Sequence, residues 1–134
     1  MTAGYDGGSG MILRMFNTMF AGTNGTAPYV GRTVSFARED HDLHSTGGSA
    51  NGAIDYRGHV YSESALSGGK WMAATGLGTG TFGAVPVFAS GTDFHLQVGS
   101  PGVDQGIVSG APSTSLDGIT RPQGSDYDIG PFER

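Results

Sequence analysis

The chain contains no cysteine, which excludes a disulfide framework and any metal centre built on thiolates. Basic residues are scarce: seven Lys and Arg stand against twelve Asp and Glu, for a net charge of −5. With no basic stripe, nucleic acid is not an expected partner. No run approaches the ~20 apolar residues of a membrane span. The opening Met1-Thr2-Ala3-Gly4-Tyr5-Asp6-Gly7-Gly8 lacks the charged and apolar regions of a signal peptide. The expectation is that the chain either is not secreted alone or belongs to something longer. Apolar residues make up only 37% of its 134 residues, enough for one domain but a small share for a globular core.

What is abundant is glycine, 25 residues without a collagen-like period, which predicts many turns. Gly or Pro interrupts almost every segment, so few segments can hold a long helix. The runs 11–21 and 32–46 are the longest without interruption. Met11-Ile12-Leu13-Arg14-Met15-Phe16-Asn17-Thr18-Met19-Phe20 is apolar on both alternating faces, as in a strand covered on two sides. A helix is the competing reading, since Met and Leu favour it, and the flanking glycines favour the strand. Thr33-Val34-Ser35-Phe36-Ala37-Arg38 alternates cleanly. Ile54-Asp55-Tyr56 and His59-Val60-Tyr61 read as short strands split by Gly58. Val85-Pro86-Val87-Phe88 and Asp93-Phe94-His95-Leu96-Gln97-Val98 read as two more, with Phe94, Leu96 and Val98 on one face. The one helical turn expected is Lys70-Trp71-Met72-Ala73-Ala74-Thr75, between Gly69 and Gly76. Strands this short must stack to build a core, and a solenoid does so because each coil buries its face on the next.

Three punctuated motifs close the chain. They are Gly99-Ser100-Pro101-Gly102-Val103-Asp104-Gln105-Gly106, Leu116-Asp117-Gly118-Ile119-Thr120-Arg121-Pro122 and Asp126-Tyr127-Asp128-Ile129-Gly130-Pro131-Phe132-Glu133. In this order they resemble the tail SPxIDxG…DxDGxxRP…DIGxxE of secreted bacterial right-handed parallel β-helix proteins, the pectate-lyase-like superfamily. Asp55 to Ser62 is similar to that family's D-Y-x-G-N-x-Y-x segment, with His59 where Asn is usual. Val85-Pro86-Val87-Phe88 with Asp93-Phe94-His95-Leu96 is similar to its DPxF…DFHL coil, with Val85 where Asp is usual. The resemblance implies an all-β fold: a short right-handed parallel β-helix of a few coils (1–98) with a C-terminal capping segment (99–134) of the same domain. It also implies an extracellular or cell-surface setting. Asn17 would be an inward turn residue whose amide satisfies backbone groups.

The tail's expected role is structural. Asp104, Asp117, Asp126 and Asp128 are acceptors for turn N–H groups, Arg121 is suited to bridge them, and Phe132 to cover the apolar end. The N-terminal side shows no comparable cap, so upstream coils or self-association are expected there.

Among chemical clusters, Asp40-His41-Asp42-Leu43-His44 is the densest. If extended, Asp40, Asp42 and His44 point one way, a set suited to Zn²⁺ or Mn²⁺. A polar turn is the preferred reading, and no metal is assigned, because nothing else completes a metal signature. Acid pairs drawn from Asp40, Asp42, Asp55 and Glu63 suit glycoside hydrolysis. Lyases of the resembled fold use Lys or Arg, often with Ca²⁺, and Arg38, Arg57 and Lys70 are the mid-chain basic residues. Trp71, Tyr56 and Tyr61, with Tyr5 and Tyr29, offer either a sugar-stacking surface or buried stacks. No G-x-S-x-G or P-loop is present; Asn24-Gly25-Thr26 is a formal sequon that equally reads as a turn.

The expected function is therefore a non-catalytic β-helix segment, a structural cap with a carbohydrate-binding or assembly role. The alternative is a carbohydrate-active enzyme using Asp40, Asp42, His44, Arg57 or Lys70 on a polysaccharide. Enzyme status and cofactor stay open, Ca²⁺ included.

Overall fold

The computed structural model describes residues 2–3, 11–22, 29–30, 34–47 and 52–134, with 2, 3, 11, 29, 30 and 34 described as backbone only. Tyr5, the Tyr29 side chain and the Asn24 sequon lie outside the described residues.

The apolar run near the N-terminus splits into β2 (Met11–Phe16) and β3 (Met19–Ala21), after the two-residue β1 (Thr2–Ala3). A second tier follows as β4 (Tyr29–Val30), β5 (Val34–Asp40) and β6 (Leu43–Ser45). Each tier-two strand pairs in parallel with its tier-one counterpart, with Met11 opposite Val34 and Met19 opposite Leu43. Between the long and short strands the chain turns a corner at a left-handed residue, Asn17 (φ 51°) or His41 (φ 50°). Such residues tolerate positive φ better than most. A third tier begins with the hairpin β7 (Ile54–Tyr56) and β8 (His59–Tyr61), turning on left-handed Arg57 and Gly58. That pair of positive φ values suits the two-residue turn that matches strand twist.

The expected all-β solenoid does not hold. The strands fall into three small sheets of four, two and three members. The third tier reverses as an antiparallel hairpin and then forms α1 (Glu63–Ser67) and α2 (Lys70–Thr75). The parallel pairing continues through β7 on β4, β9 (Phe82–Gly83) on β6 and a bridge from Thr79 to Asp40. After residue 83 the described chain holds no strand, and the segments 85–88 and 93–98 form no ladder beyond an isolated antiparallel bridge, Phe88 to Leu96, with the Gln97 N–H donating to the Val87 carbonyl and Phe88 edge-on to Phe94. The physical reason lies in the helix pair. Leu66 and Trp71 bury with Ala53 and Ile54 to form the core, flanked by Phe36, Tyr56, Tyr61 and Leu77. Helical side chains thus fill the space that a further coil would have filled. Ser62 caps α1 by accepting from the Ala65 N–H. Helix α1 lies so close to β9 that a Cβ on Gly83 would fall 2.3 Å from the Glu63 Cα.

The C-terminal segment reaches back to the first corner. The Asn17 amide donates to the Ile107 carbonyl and accepts the Ile107 N–H, both at 2.7 Å, across 90 residues of sequence. The Gly130 N–H donates to the Asn17 carbonyl. One side chain thereby does the job of a strand pair at a turn where no ladder is available.

Candidate functional site

The corner between β5 and β6 assembles the densest chemistry. Strict alternation would group Asp40, Asp42 and His44. The left-handed His41 breaks that alternation, and Glu39 joins Asp42 and His44 instead. All three are buried, at 2%, 0% and 1% exposure, and each offers a ligand atom within 4.8 Å of the others. Glu39 was not singled out by the sequence pattern; the only available signal was its place directly before the Asp40–His44 cluster.

Outer donors fix two of the three side chains. Glu39 accepts from the Trp71 indole N–H at 2.8 Å and from the Thr81 hydroxyl at 3.1 Å. Gly78 makes the Trp71 contact possible: at φ 80° it carries no side chain, and a Cβ there would fall 2.2 Å from the indole ring. Asp42 accepts the Thr18 N–H at 2.7 Å through Oδ1. Its Oδ2 and both ring nitrogens of His44 are buried without a hydrogen-bond partner. His44 Nε2 stands 3.7 Å from Glu39 Oε1, and Phe20 stacks on the imidazole at 4.8 Å. Burial pushes the Asp42 carboxyl up to about 8, helped by the nearby Glu39 charge and opposed by the Thr18 N–H.

The other catalytic candidates do not join this group. Asp40 pairs with Arg38 at 2.8 Å, and Arg38 lies over Phe16 and donates to the Ser109 carbonyl. Arg57 is exposed, lies over the Tyr56 ring and donates to the Ser35 hydroxyl. Lys70 is exposed at the start of α2. Trp71 is 1% exposed and packed edge-on against Phe36, Tyr56 and Tyr61, so no face of it is open to a sugar ring.

A separate cleft of about 830 Å³ opens beside the C-terminal segment, lined chiefly by Val85, Phe88, Phe94, Leu96, Leu116 and Phe132. Phe94 and Leu116 are 56% and 76% exposed. At its edge His95 sits between two carboxylates, Asp93 at 2.5 Å and Asp117 at 3.1 Å, and stacks on Phe132. Hydrogen bonds to Asp93 and then Asp117 raise the imidazole above its ordinary value. Asp117 also accepts a short bond from the Ser115 hydroxyl.

The tail residues form a third network. Arg121 donates to Glu133 Oε2 at 2.8 Å and to the Asp128 carbonyl at 2.5 Å, and lies over the Tyr127 ring. Glu133 also accepts the Gln123 and Asp128 N–H groups. Asp128 accepts the Asp104 N–H, and Asp104 in turn accepts the Asp126 N–H. The direct acidic partner of Arg121 is thus Glu133, which the sequence pattern did not single out, rather than the aspartates. Asp117 belongs to the His95 group.

No protein-family model, no curated protein and no solved structure matches the chain. The likeness to the pectate-lyase-like superfamily accordingly rests on the quoted motifs alone. Among the described residues, no helix is long and apolar enough to cross a membrane.

Proposed function

We propose that this chain is a non-catalytic binding module whose ligand site is the apolar cleft lined by residues 85–96 and 116–132 together with Met19, Ala21 and Ser45. The observation that carries this is a contrast in exposure. The cleft presents Phe94 and Leu116 to solvent, whereas Asp42 and His44 are buried and Asp40, Arg57 and Lys70 lie apart from them. A cleft of this size with an apolar lining suits a small apolar molecule. A carbohydrate reading is less well supported, because Trp71 is buried and the cleft aromatics are phenylalanines without polar tips.

The test pairs a turnover panel with a probe titration. On acidic and neutral polysaccharides, with and without Ca²⁺, neither unsaturated products nor new reducing ends should form. The fluorescent apolar probe anilinonaphthalene sulfonate should bind saturably to the folded chain. Phe94→Ser should weaken it about tenfold, the worth of one lost apolar side chain, at unchanged melting temperature. Displacement of the probe by an oligosaccharide would move the ligand to the carbohydrate class. Turnover abolished by Lys70→Ala or Asp42→Ala would replace the proposal with an enzyme.

A further inference from the structure

We infer that Glu39, Asp42 and His44 form a binding site for one divalent transition-metal ion with the ligand preferences of zinc. Two carboxylates and an imidazole are the oxygen and nitrogen donors such ions take, and three protein ligands is the number found in zinc sites that keep a fourth position for another donor. The three ligand atoms lie within 4.8 Å of one another. Zinc–ligand distances of about 2.0–2.2 Å place tetrahedral donors roughly 3.4 Å apart, so the group needs a contraction of about 1.5 Å at most.

Geometry alone would not carry the inference, since acidic clusters are common. The deciding observation is the unpartnered state of buried ligand-type atoms in the group. Asp42 Oδ2, His44 Nδ1 and His44 Nε2 are all buried without a hydrogen bond. Buried polar atoms are satisfied almost everywhere else in proteins, and an exception in a group of metal-ligand types points to an ion. Asp40 Oδ1 and Asp128 Oδ2 are also buried without a partner, but among the described residues it is Glu39, Asp42 and His44 that bring three ligand atoms together, and other buried carboxylates are provided for. Glu63 Oε1 accepts both the N–H and the hydroxyl of Thr46, and Glu133 takes Arg121 and two backbone N–H groups. No Lys or Arg ion pair reaches Glu39 or Asp42 among the described residues; the one ion-pair partner recorded for Glu39 is His44 itself.

The second feature is the arrangement of outer donors. Trp71 and Thr81 hold Glu39, and the Thr18 N–H holds Asp42 Oδ1. The Thr18 bond leaves Asp42 Oδ2 free, and Glu39 Oε1, which accepts from Thr81 and stands 3.7 Å from His44 Nε2, retains a second lone pair, so the carboxylates are held as supporting hydrogen bonds hold ligands around bound metals. Because the site is buried, the ion enters as the corner folds.

The experiment refolds the chain from guanidinium and EDTA, with or without ZnSO₄, followed by gel filtration and elemental analysis. About one zinc per chain is expected, with a melting temperature raised by about 5 °C or more. Asp42→Asn, close in shape, should retain less than about a tenth of that zinc. His95→Gln should retain all of it, which separates this site from the exposed Asp93–His95–Asp117 group. Should Asp42→Asn fail to fold, wild-type chain refolded with Co²⁺ gives the readout, through visible absorption of a carboxylate–imidazole site. A wild-type chain that refolds without taking up zinc or Co²⁺ overturns the inference, as does zinc retained in a folded Asp42→Asn or lost from His95→Gln.

Discussion

Two regions of this molecule bury carboxylates, and they do so in opposite ways. Around Arg121, Glu133 is sunk beside a guanidinium and beneath two backbone N–H groups, so both its oxygens have partners. Around the β5–β6 corner, Glu39 and Asp42 are sunk beside one imidazole, with Asp42 Oδ2 and both imidazole nitrogens unpartnered. A buried charge is tolerated when paired and hydrogen-bonded and is costly otherwise. The C-terminal network carries its own cation within the chain, although Asp128 Oδ2 there is also buried without a hydrogen bond. The corner has the oxygen donors but not the countercharge, and that asymmetry marks it as the place where something from outside is taken up.

The comparison breaks most directly at Arg121. Replacing it with Met leaves Glu133 buried without its cation, and stability should fall by about 3–5 kcal/mol in urea unfolding. Adding Glu133→Gln should recover part of that loss, because the carboxamide carries no net charge and its oxygen still accepts one of the two backbone N–H groups. A single-variant loss under about 1 kcal/mol would show that the Arg121 region is no better balanced than the corner.

A smaller effect sharpens the other side. The Asp42 carboxyl stands at about 8 in the folded chain against 3.8 when unperturbed, chiefly because burial disfavours its charge. The folded state therefore holds an extra proton between those values. Its contribution to stability is full below the unfolded value and is lost as pH rises through about 8. In metal-free chain, melting temperatures followed from pH 5 to pH 9 (about the span of that titration) should decline, and Asp42→Asn should flatten the decline. An identical slope in the variant would remove Asp42 as its source.

How much of this was readable beforehand varies with the kind of signal. Strand positions at 11–20 and 33–38, the helical turn at 70–75 and the turn at Gly58 carry local propensity, and they recur in the structure as β2, β3, β5 (which runs on to Asp40), α2 and the β7–β8 hairpin. Helix α1 was not legible, because Glu63-Ser64-Ala65-Leu66-Ser67 is too short for periodicity and depends on packing against Gly83. The solenoid expectation failed because tail motifs say nothing about what fills the third tier. At the corner, Asp42 and His44 were legible and Glu39 was not: whether residue 39 or 40 joins them depends on the positive φ of His41, a non-glycine residue that gives no outward sign of it. Arg121 was visible as a bridging cation, while Glu133, twelve residues on, was hidden by the density of nearer aspartates.

The mildest test lies between the two regions, at the exposed Asp93–His95–Asp117 group, where solvent shares the work of stabilising charge. His95 has a carboxylate on each ring nitrogen, which favours imidazolium, so its contribution is present below the ordinary 6.5 and is lost as pH rises through its raised value. Asp93 is lowered chiefly by the His95 bond, and Asp117 by the Ser115 hydroxyl and then His95. Their contribution is present above the ordinary carboxylate value and is lost as pH falls through the depressed ones. The clamp therefore holds between the lowered acids and the raised imidazole. Because His95 stacks on Phe132 at the edge of the cleft, probe affinity there should weaken as pH rises through the His95 titration followed by ¹H–¹⁵N NMR. His95→Gln should abolish that dependence without altering the melting slope assigned to Asp42. If probe affinity does not follow the imidazole, the clamp shapes the loop alone, and the cleft is set by apolar packing without electrostatic control.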